Sequence, residues 1–348
     1  MNAQFISAQD SRWKRFLADA PHDFYQLPEY VALCATLEGA EAVAFYAEEA
    51  YSRFLAPVLL RSIPTCLGAK EDWCDCVSPY GYSTPLIMPT HDALPVFLEA
   101  FIDAGRQRRM VTAFFRLHPF LHLDDMALAK FGQILKHGQT VYVDLTKTGE
   151  QLWDETCTNH RRNIRRLERL GFHAVIDRWE LLNDFIAIYY KTMSRVGASE
   201  EYHFPQEYFS ALPSVLGSRL HLCCVLSPDN RVAAAGLFVS TNGTLQYHLG
   251  GTADDYLPLA PSKLMFHAMR HWGQETSHTI LHLGGGVGGA DDSLLQFKSG
   301  FSTAKSAFYT YRMIVDEDKH DALLRHVVQK KADVAHPWRN DFFPAYRQ

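Results

Sequence analysis

The chain has 348 residues, 47% hydrophobic and 21% charged, with a formal net charge of −5. That balance excludes a largely disordered chain, and the acidic excess excludes a global basic field that would gather nucleic acid. The length argues for two domains, the lack of a long apolar run or signal-like N-terminus for a cytoplasmic protein with no membrane span, and seven cysteines without a regular framework for reduced thiols.

Helical spacing marks residues 10–19 and 28–37, the second opened by Pro28. Strands are expected at 42–47 and 53–62, where Pro57 points to an edge or a bulge. Residues 64–76 read as a loop. Its Cys74 and Cys76 lack a second pair at zinc spacing, so no metal site is expected. Next, Tyr80-Gly81-Tyr82 between two prolines predicts a rigid aromatic turn. Tyr80 and Tyr82 either line a pocket with their hydroxyls or pack as a plain turn. A helix at 92–108, a strand at 111–117, a short helix after Leu123 and a strand at 140–145 complete the first half, an α+β unit at 1–146.

The second half, 147–348, repeats the plan. Thr148 and Gln151 form a capping box for one long helix, with Trp153, Cys157, His160, Ile164 and Leu167 as its buried stripe and Gly171 as its stop. Arg162, Arg165, Arg166 and Arg169 recur at i, i+3, i+4 and i+7, with Arg161 beside them. Like charges at this spacing repel, so the helix is either an anion-binding surface or a solvated face. A helix at 180–195, an irregular section at 197–219 and strands at 220–226, 232–240 and 245–250 follow. Pro261 starts a helix to about Gly273. Its His267 and His271 have zinc-like spacing but no glutamate between them, which favours plain histidines. A strand at 279–283 runs into Gly284-Gly285-Gly286, then Gly288-Gly289, a short helix carrying Lys298, an aromatic strand at 307–315 and a polar tail. The glycines allow an anion nest or a tight strand–helix turn, and Asp291 and Asp292 read first as helix caps.

Several segments in order resemble the Fem peptidyltransferase family (FemABX) and its Gram-negative FemAB-related acetyltransferases of surface-polysaccharide loci. They are His160-Arg161-Arg162-Asn163-Ile164-Arg165-Arg166 with Leu170-Gly171, Leu249-Gly250-Gly251, Leu283-Gly284-Gly285-Gly286 and Phe297-Lys298-Ser299-Gly300-Phe301. Tyr25, Pro28-Glu29-Tyr30 and Tyr80-Gly81-Tyr82 add to the likeness. The resemblance implies an α+β fold of two tandem GNAT-like (acyl-CoA N-acyltransferase) domains, each a mixed sheet flanked by helices. It also implies transfer of an acyl or aminoacyl group onto an amine of a peptidoglycan or surface-polysaccharide precursor. Lys298 falls on the family lysine credited with stabilising negative charge, within Phe297 and Gly300. Arg161, Arg162 and Arg165 fall where relatives contact a phosphorylated acceptor, and Tyr247 falls on a third-strand tyrosine, next to His248. Peripheral association with a membrane-bound precursor would follow.

Two departures leave the donor open. No long uncapped heptad run corresponds to the helical hairpin of some tRNA-using members. Asp254-Asp255-Tyr256-Leu257-Pro258-Leu259-Ala260 stands where the acyl-CoA pyrophosphate loop belongs. Acyl-CoA or aminoacyl-tRNA would thus serve as donor substrate, with no permanently bound cofactor. For the chemistry, Lys298 can supply positive charge to a tetrahedral oxyanion, and His248 is a candidate general base because imidazole titrates near neutrality. Two readings compete with aminoacyl transfer to a cell-envelope precursor: an acyl-CoA-dependent N-acetyltransferase of an amino sugar, and a catalytically silent GNAT-like binding protein.

Overall fold

The computed structural model describes residues 1–70, 72–89, 92–331 and 342–348. The chain opens with β1 (Asn2–Ser7), α1 (Ser11–Asp19), α2 (Pro28–Glu38), β2 (Glu41–Glu49), β3 (Ser52–Ser62), β4 (Cys74–Val77), β5 (Leu86–Met88) and α3 (Leu94–Gln107). It continues with β6 (Met110–Arg116), α4 (Asp125–Leu128), β7 (Gln133–Asp144), α5 (Gly149–Glu155), α6 (Thr158–Arg169), β8 (His173–Ile176), α7 (Leu182–Val196) and α8 (Gln206–Leu216). The last elements are β9 (Leu220–Leu226), β10 (Val232–Thr241), β11 (Thr244–Thr252), α9 (Ser262–Glu275), β12 (Ile280–Gly285), α10 (Ser293–Ser299), β13 (Lys305–Ile314) and α11 (Glu317–Lys331). No described helix is long and apolar enough to cross a membrane.

Two compact units result, one of Met1–His137 with Phe308–Gln348 and one of Gly138–Ala307. This differs from the expected division at 146/147, which left the whole C-terminal part in the second domain. The reason is pairing. β13 runs antiparallel to β6, with Thr310 opposite Arg116 and Ile314 opposite Thr112. Leu323 and Val327 of α11, with Tyr346, then bury against Val111, Ile63 and Trp73. A helix therefore stands where a polar tail was expected.

In the first unit the strand order is β1-β2-β3-β4-β6-β13, with β5 also on β3. Phe45, Phe54, Phe97, Phe101 and Phe115 fill its core between sheet and α3. Pro57 is neither at an edge nor in a bulge. It faces Ala44 of β2, and on the other side it falls between the stretch paired to β5 (Arg53, Phe54, Leu55) and the stretch paired to β4 (Leu59 to Ser62). A proline is tolerated there because no ladder bond is asked of it on that side. Cys74 and Cys76, expected in a loop, lie on β4.

The second unit carries the order β7-β12-β11-β10-β9-β8. Its strands are antiparallel except for β11 and β12, which are parallel. Ile164 and Leu167 of α6, Leu264, Met265, Phe266 and Met269 of α9 and Leu295 of α10 join sheet residues such as Phe238 and Leu283 in one core. Phe185 and Tyr189 of α7 and Tyr208 and Phe209 of α8 form a separate aromatic cluster with Phe204. α8 and β8 fall in stretches that no pattern marked. Pro213 inside α8 and the four-residue length of β8 hide both.

The long helix expected from Thr148 is two helices. The Thr148–Gln151 capping box forms as expected, but Thr156 (ψ 127°) and Cys157 (ψ 151°) are extended and break the run. Three contacts hold the break. Thr156 Oγ1 donates to Leu152 O, the buried Arg270 donates to both Leu152 O and Thr156 Oγ1, and Cys157 N–H donates to Gly300 O. These bonds satisfy groups that a helix end leaves unpaired.

Candidate active site

The site begins with a gap in the sheet of the second unit. β11 and β12 pair only from Thr244–Ile280 to Gln246–His282. Beyond that register β11 stays on β10 as far as Thr252, and β12 stays on β7 as far as Gly285. Two parallel strands that each follow their outer neighbour must part, so the sheet opens at their carboxyl ends. Ligands of open α/β sheets bind at such ends. A bulge adds to the opening, since Leu237 faces Leu249 and Phe238 faces Tyr247, leaving His248 as the extra residue.

Lys298 spans this opening. It lies on α10, only 6% exposed, and its Nζ donates to Gly285 O of β12 at 2.7 Å. The same ammonium sits 5.7 Å from the centroid of the Tyr247 ring on β11. Burial pushes the lysine down to about 7, with Asp292 opposing the shift. Burial also raises the Tyr247 phenol, which stays neutral. Lys298 is thus a buried cation poised to exchange its proton near neutrality, held between a carbonyl and an aromatic face.

The glycine run positions this lysine and does not present a nest. Gly284 has φ +77°, and a β-carbon on Gly285 would lie 2.9 Å from Gln139 O of the neighbouring strand. A β-carbon on Gly286 would strike Ala290 O and Asp292. Three of the N–H groups beyond are already used. Val287 N–H donates to Asp292 Oδ2, Gly289 N–H to Gly286 O and Ala290 N–H to Val287 O. Asp292 also caps α10 through Leu295 N–H at 2.9 Å, the role expected for it. Of the two readings the sequence left open, the tight turn accounts for these glycines.

Phe297 and Gly300 bind the lysine helix to α6. His160, 6% exposed, sets its ring 5.3 Å from Phe297 and 4.7 Å from Phe301, and a β-carbon on Gly300 would lie 2.5 Å from that ring. Phe297 O accepts from His160 Nε2 at 3.0 Å. The expected buried stripe holds at His160, Ile164 and Leu167, but Cys157 is exposed and Trp153 half-buried.

The exposed side of α6 carries the arginines. Thr158, Arg161, Arg162, Arg165, Glu168 and Arg169 line an open depression. Arg161 pairs with Asp154 at 3.2 Å, and Arg165 lies 5.1 Å over the Trp153 ring. The sequence did not single out Lys263, which is 8% exposed and reaches Asn159 Oδ1 at 3.3 Å. Burial lowers its ammonium and Arg162 lowers it further.

The remaining nominated residues have other partners. His248, the bulge residue, faces α8, whereas Tyr247 packs on Phe266 of α9. There Tyr208 OH meets its Nε2 at 2.6 Å, and burial holds the imidazole at about 3, far below a general base for neutral pH. Tyr80 and Tyr82 belong to the first unit and are half-buried. Tyr80 O accepts from Tyr30 OH at 3.2 Å, and Tyr82 packs edge-on to Tyr25, His118 and Phe308. His267 and His271 meet edge to face with centroids 4.5 Å apart, Arg270 bonds His267 Nδ1, and no group of three metal-binding side chains occurs among the described residues.

Comparisons with known proteins agree with this geometry. Residues 155–299, from the α5–α6 break to the end of α10, match the family model of an acetyltransferase (GNAT) domain. Among solved structures, FemX is similar over 92% of this chain and 99% of its own, with 14% identity and a TM-score of 0.70. L-PGS from Bacillus licheniformis is similar over 92% and 96%, with 15% identity and a TM-score of 0.58. A tandem GNAT protein from the clavulanic acid biosynthesis pathway is similar over 90% and 99%, with 8% identity and a TM-score of 0.52. No curated protein matches the sequence. A GNAT acetyltransferase domain, whose opened sheet holds a buried lysine, thus spans residues 155–299, and over most of its length the chain shares the fold of FemX, L-PGS and a tandem GNAT protein.

Proposed function

We propose that the chain transfers an aminoacyl group to an amine of a phosphorylated cell-envelope precursor, with Lys298 as the electrostatic catalyst. The observation that carries this reading is the Lys298 ammonium, buried at the mouth between β11 and β12 with one carbonyl partner. When an amine attacks the donor's carbonyl, the carbonyl oxygen gains negative charge. A cation already desolvated beside it stabilises that charge without solvent reorganisation, and loss of one such group typically costs about a hundredfold or more in rate. The amine arrives as a neutral nucleophile, and its proton leaves to solvent or to the departing oxygen or sulfur of the donor. Arg161, Arg162 and Arg165 would hold the acceptor phosphate, since guanidinium groups match phosphate oxygens in pairs. The likeness to FemX and L-PGS over most of the chain supports an aminoacyl donor.

The GNAT domain match favours a second donor, an acyl-CoA thioester delivered to an amino sugar. Thermal shift separates the two, because only a specific ligand raises apparent stability by linkage. A shift with aminoacyl-tRNA and none with acyl-CoA supports the first reading, and the reverse supports the second. Lys298→Ala should abolish transfer with either donor while the far-ultraviolet spectrum stays native. Normal turnover by this variant would sink the catalytic assignment.

A further inference from the structure

Asp292 is a half-buried carboxylate that holds two parts of the lysine's surroundings at once. Its Oδ2 accepts from Val287 N–H at 2.9 Å, and its Oδ1 accepts from Leu295 N–H in the first turn of α10, also at 2.9 Å. On the other side of the same turn the Lys298 ammonium donates to Gly285 O at 2.7 Å. The Gly285 carbonyl and the Val287 N–H belong to adjacent peptide groups that meet at the Gly286 α-carbon. A cation thus grips one peptide and an anion the next, and both side chains come from α10 or its N-cap. Gly286 leaves no slack in this arrangement, since a β-carbon there would lie 2.4 Å from Asp292 Oδ1 and 2.2 Å from Ala290 O.

The charges around Lys298 single this carboxylate out. Of the elements packed on α10, β11 brings Tyr247, which stays neutral, and α6 brings His160, which burial keeps neutral down to about 4. α9 brings the ring of Phe266, and β12 the Gly285 carbonyl. Asp292 acts on the ammonium and the ammonium on Asp292, in each case favouring the charged form. Burial works against the carboxylate, but the N–H groups of Leu295, Val287 and Leu294, with Lys298, outweigh it and hold the group below its usual range. Asp291, the neighbouring acid, is exposed, where solvent and salt screen its charge.

We infer that Asp292 is the positioning residue of Lys298: it fixes the turn whose Gly285 carbonyl holds the ammonium, and it supplies the carboxylate charge set against that ammonium. The inference rests on Lys298 as the electrostatic catalyst. A helix cap alone would need only an acceptor for Leu295 N–H, which serine or asparagine supplies as well. The lysine needs the charge besides, because a carboxylate near a desolvated ammonium works through a low dielectric. Without it the ammonium loses its counter-charge and gives up its proton at lower pH. Less of the lysine is then a cation in the neutral range.

The full chain, carrying isotope-labelled lysine, is titrated by NMR at the side-chain ammonium, with Lys298→Met identifying the signal. In Asp292→Asn and Asp292→Ser, which keep a cap for α10, the Lys298 midpoint should fall by about one pH unit, whereas Asp291→Asn should leave it in place. The transfer rate of Asp292→Asn, relative to wild type, should then be down about tenfold near pH 8, a loss that shrinks to about twofold near pH 5.5. A Lys298 midpoint unchanged in a folded Asp292 variant would overturn the inference. So would a rate loss equal at both pH values, which is what a missing cap alone produces. Lys298→Ala turning over normally would remove the catalytic reading instead, and the titration would still decide the role of Asp292.

Discussion

Lys298 is held where a cation is costly. Its pKa falls from the ordinary 10.5 to about 7, so the unfolded chain binds its proton more tightly than the folded one. The linkage sign follows: the penalty is complete below about 7 and is relieved as pH rises toward 10.5. Lys298→Met should therefore raise stability at neutral pH by a few kcal/mol, of the order that a shift of several units implies. The same variant should be inactive. Urea denaturation beside a transfer assay checks both, and a variant both less stable and active would refute the assignment. If the protonated lysine is the catalytic form, the wild-type rate should also decline as pH rises through about 7. The motif around Lys298 was legible in the sequence, but its burial was not. His248 shows the converse, since a histidine nominated for its ordinary titration proved to be a neutral partner of Tyr208 on α8.

At the scale of elements, the α5–α6 break decides how the site is built. Periodicity favoured one continuous helix because Thr156 and Cys157 carry no proline or glycine that would mark a stop. The break exists because tertiary partners satisfy the exposed backbone there. Thr156→Val, which keeps the shape but removes the hydroxyl, should leave Arg270 short of an acceptor and cost about 1–3 kcal/mol. Chemical denaturation measures this, and an unchanged midpoint would mean that the hydroxyl is not needed. Gly300→Ala would push a methyl against the His160 ring and should destabilise by about 1–3 kcal/mol through overpacking. Its transfer rate should fall further than its stability explains, because Lys298 sits two residues away; a rate that tracks stability alone would argue against that coupling.

Over the whole molecule, buried histidines set an acid limit. Burial keeps His160 at about 4 and His248 and His267 at about 3, against an ordinary 6.5. Between those values the unfolded chain takes up protons that the folded chain refuses. Stability is therefore complete above 6.5 and is lost as pH falls toward 4. The melting temperature should drop over that window, and His248→Gln should flatten the slope. A flat profile for the wild type would contradict the burial of these rings.

What the sequence determined by itself was local: the alternating and helical spacings of most elements, the capping box at Thr148 and Gln151 and the ordered motifs that resemble a tandem GNAT family. These depend on residues close along the chain, where period and turn chemistry act. The tertiary structure alone decided three things. It set β13 and α11 in the first unit, because strand pairing across a distance of nearly two hundred residues leaves no local trace. It parted β11 from β12, because each strand follows its outer neighbour. And it took Lys298 out of water beside Gly285 and Tyr247, which turns an ordinary lysine into one that titrates near neutrality, since desolvation is a property of packing and not of sequence spacing.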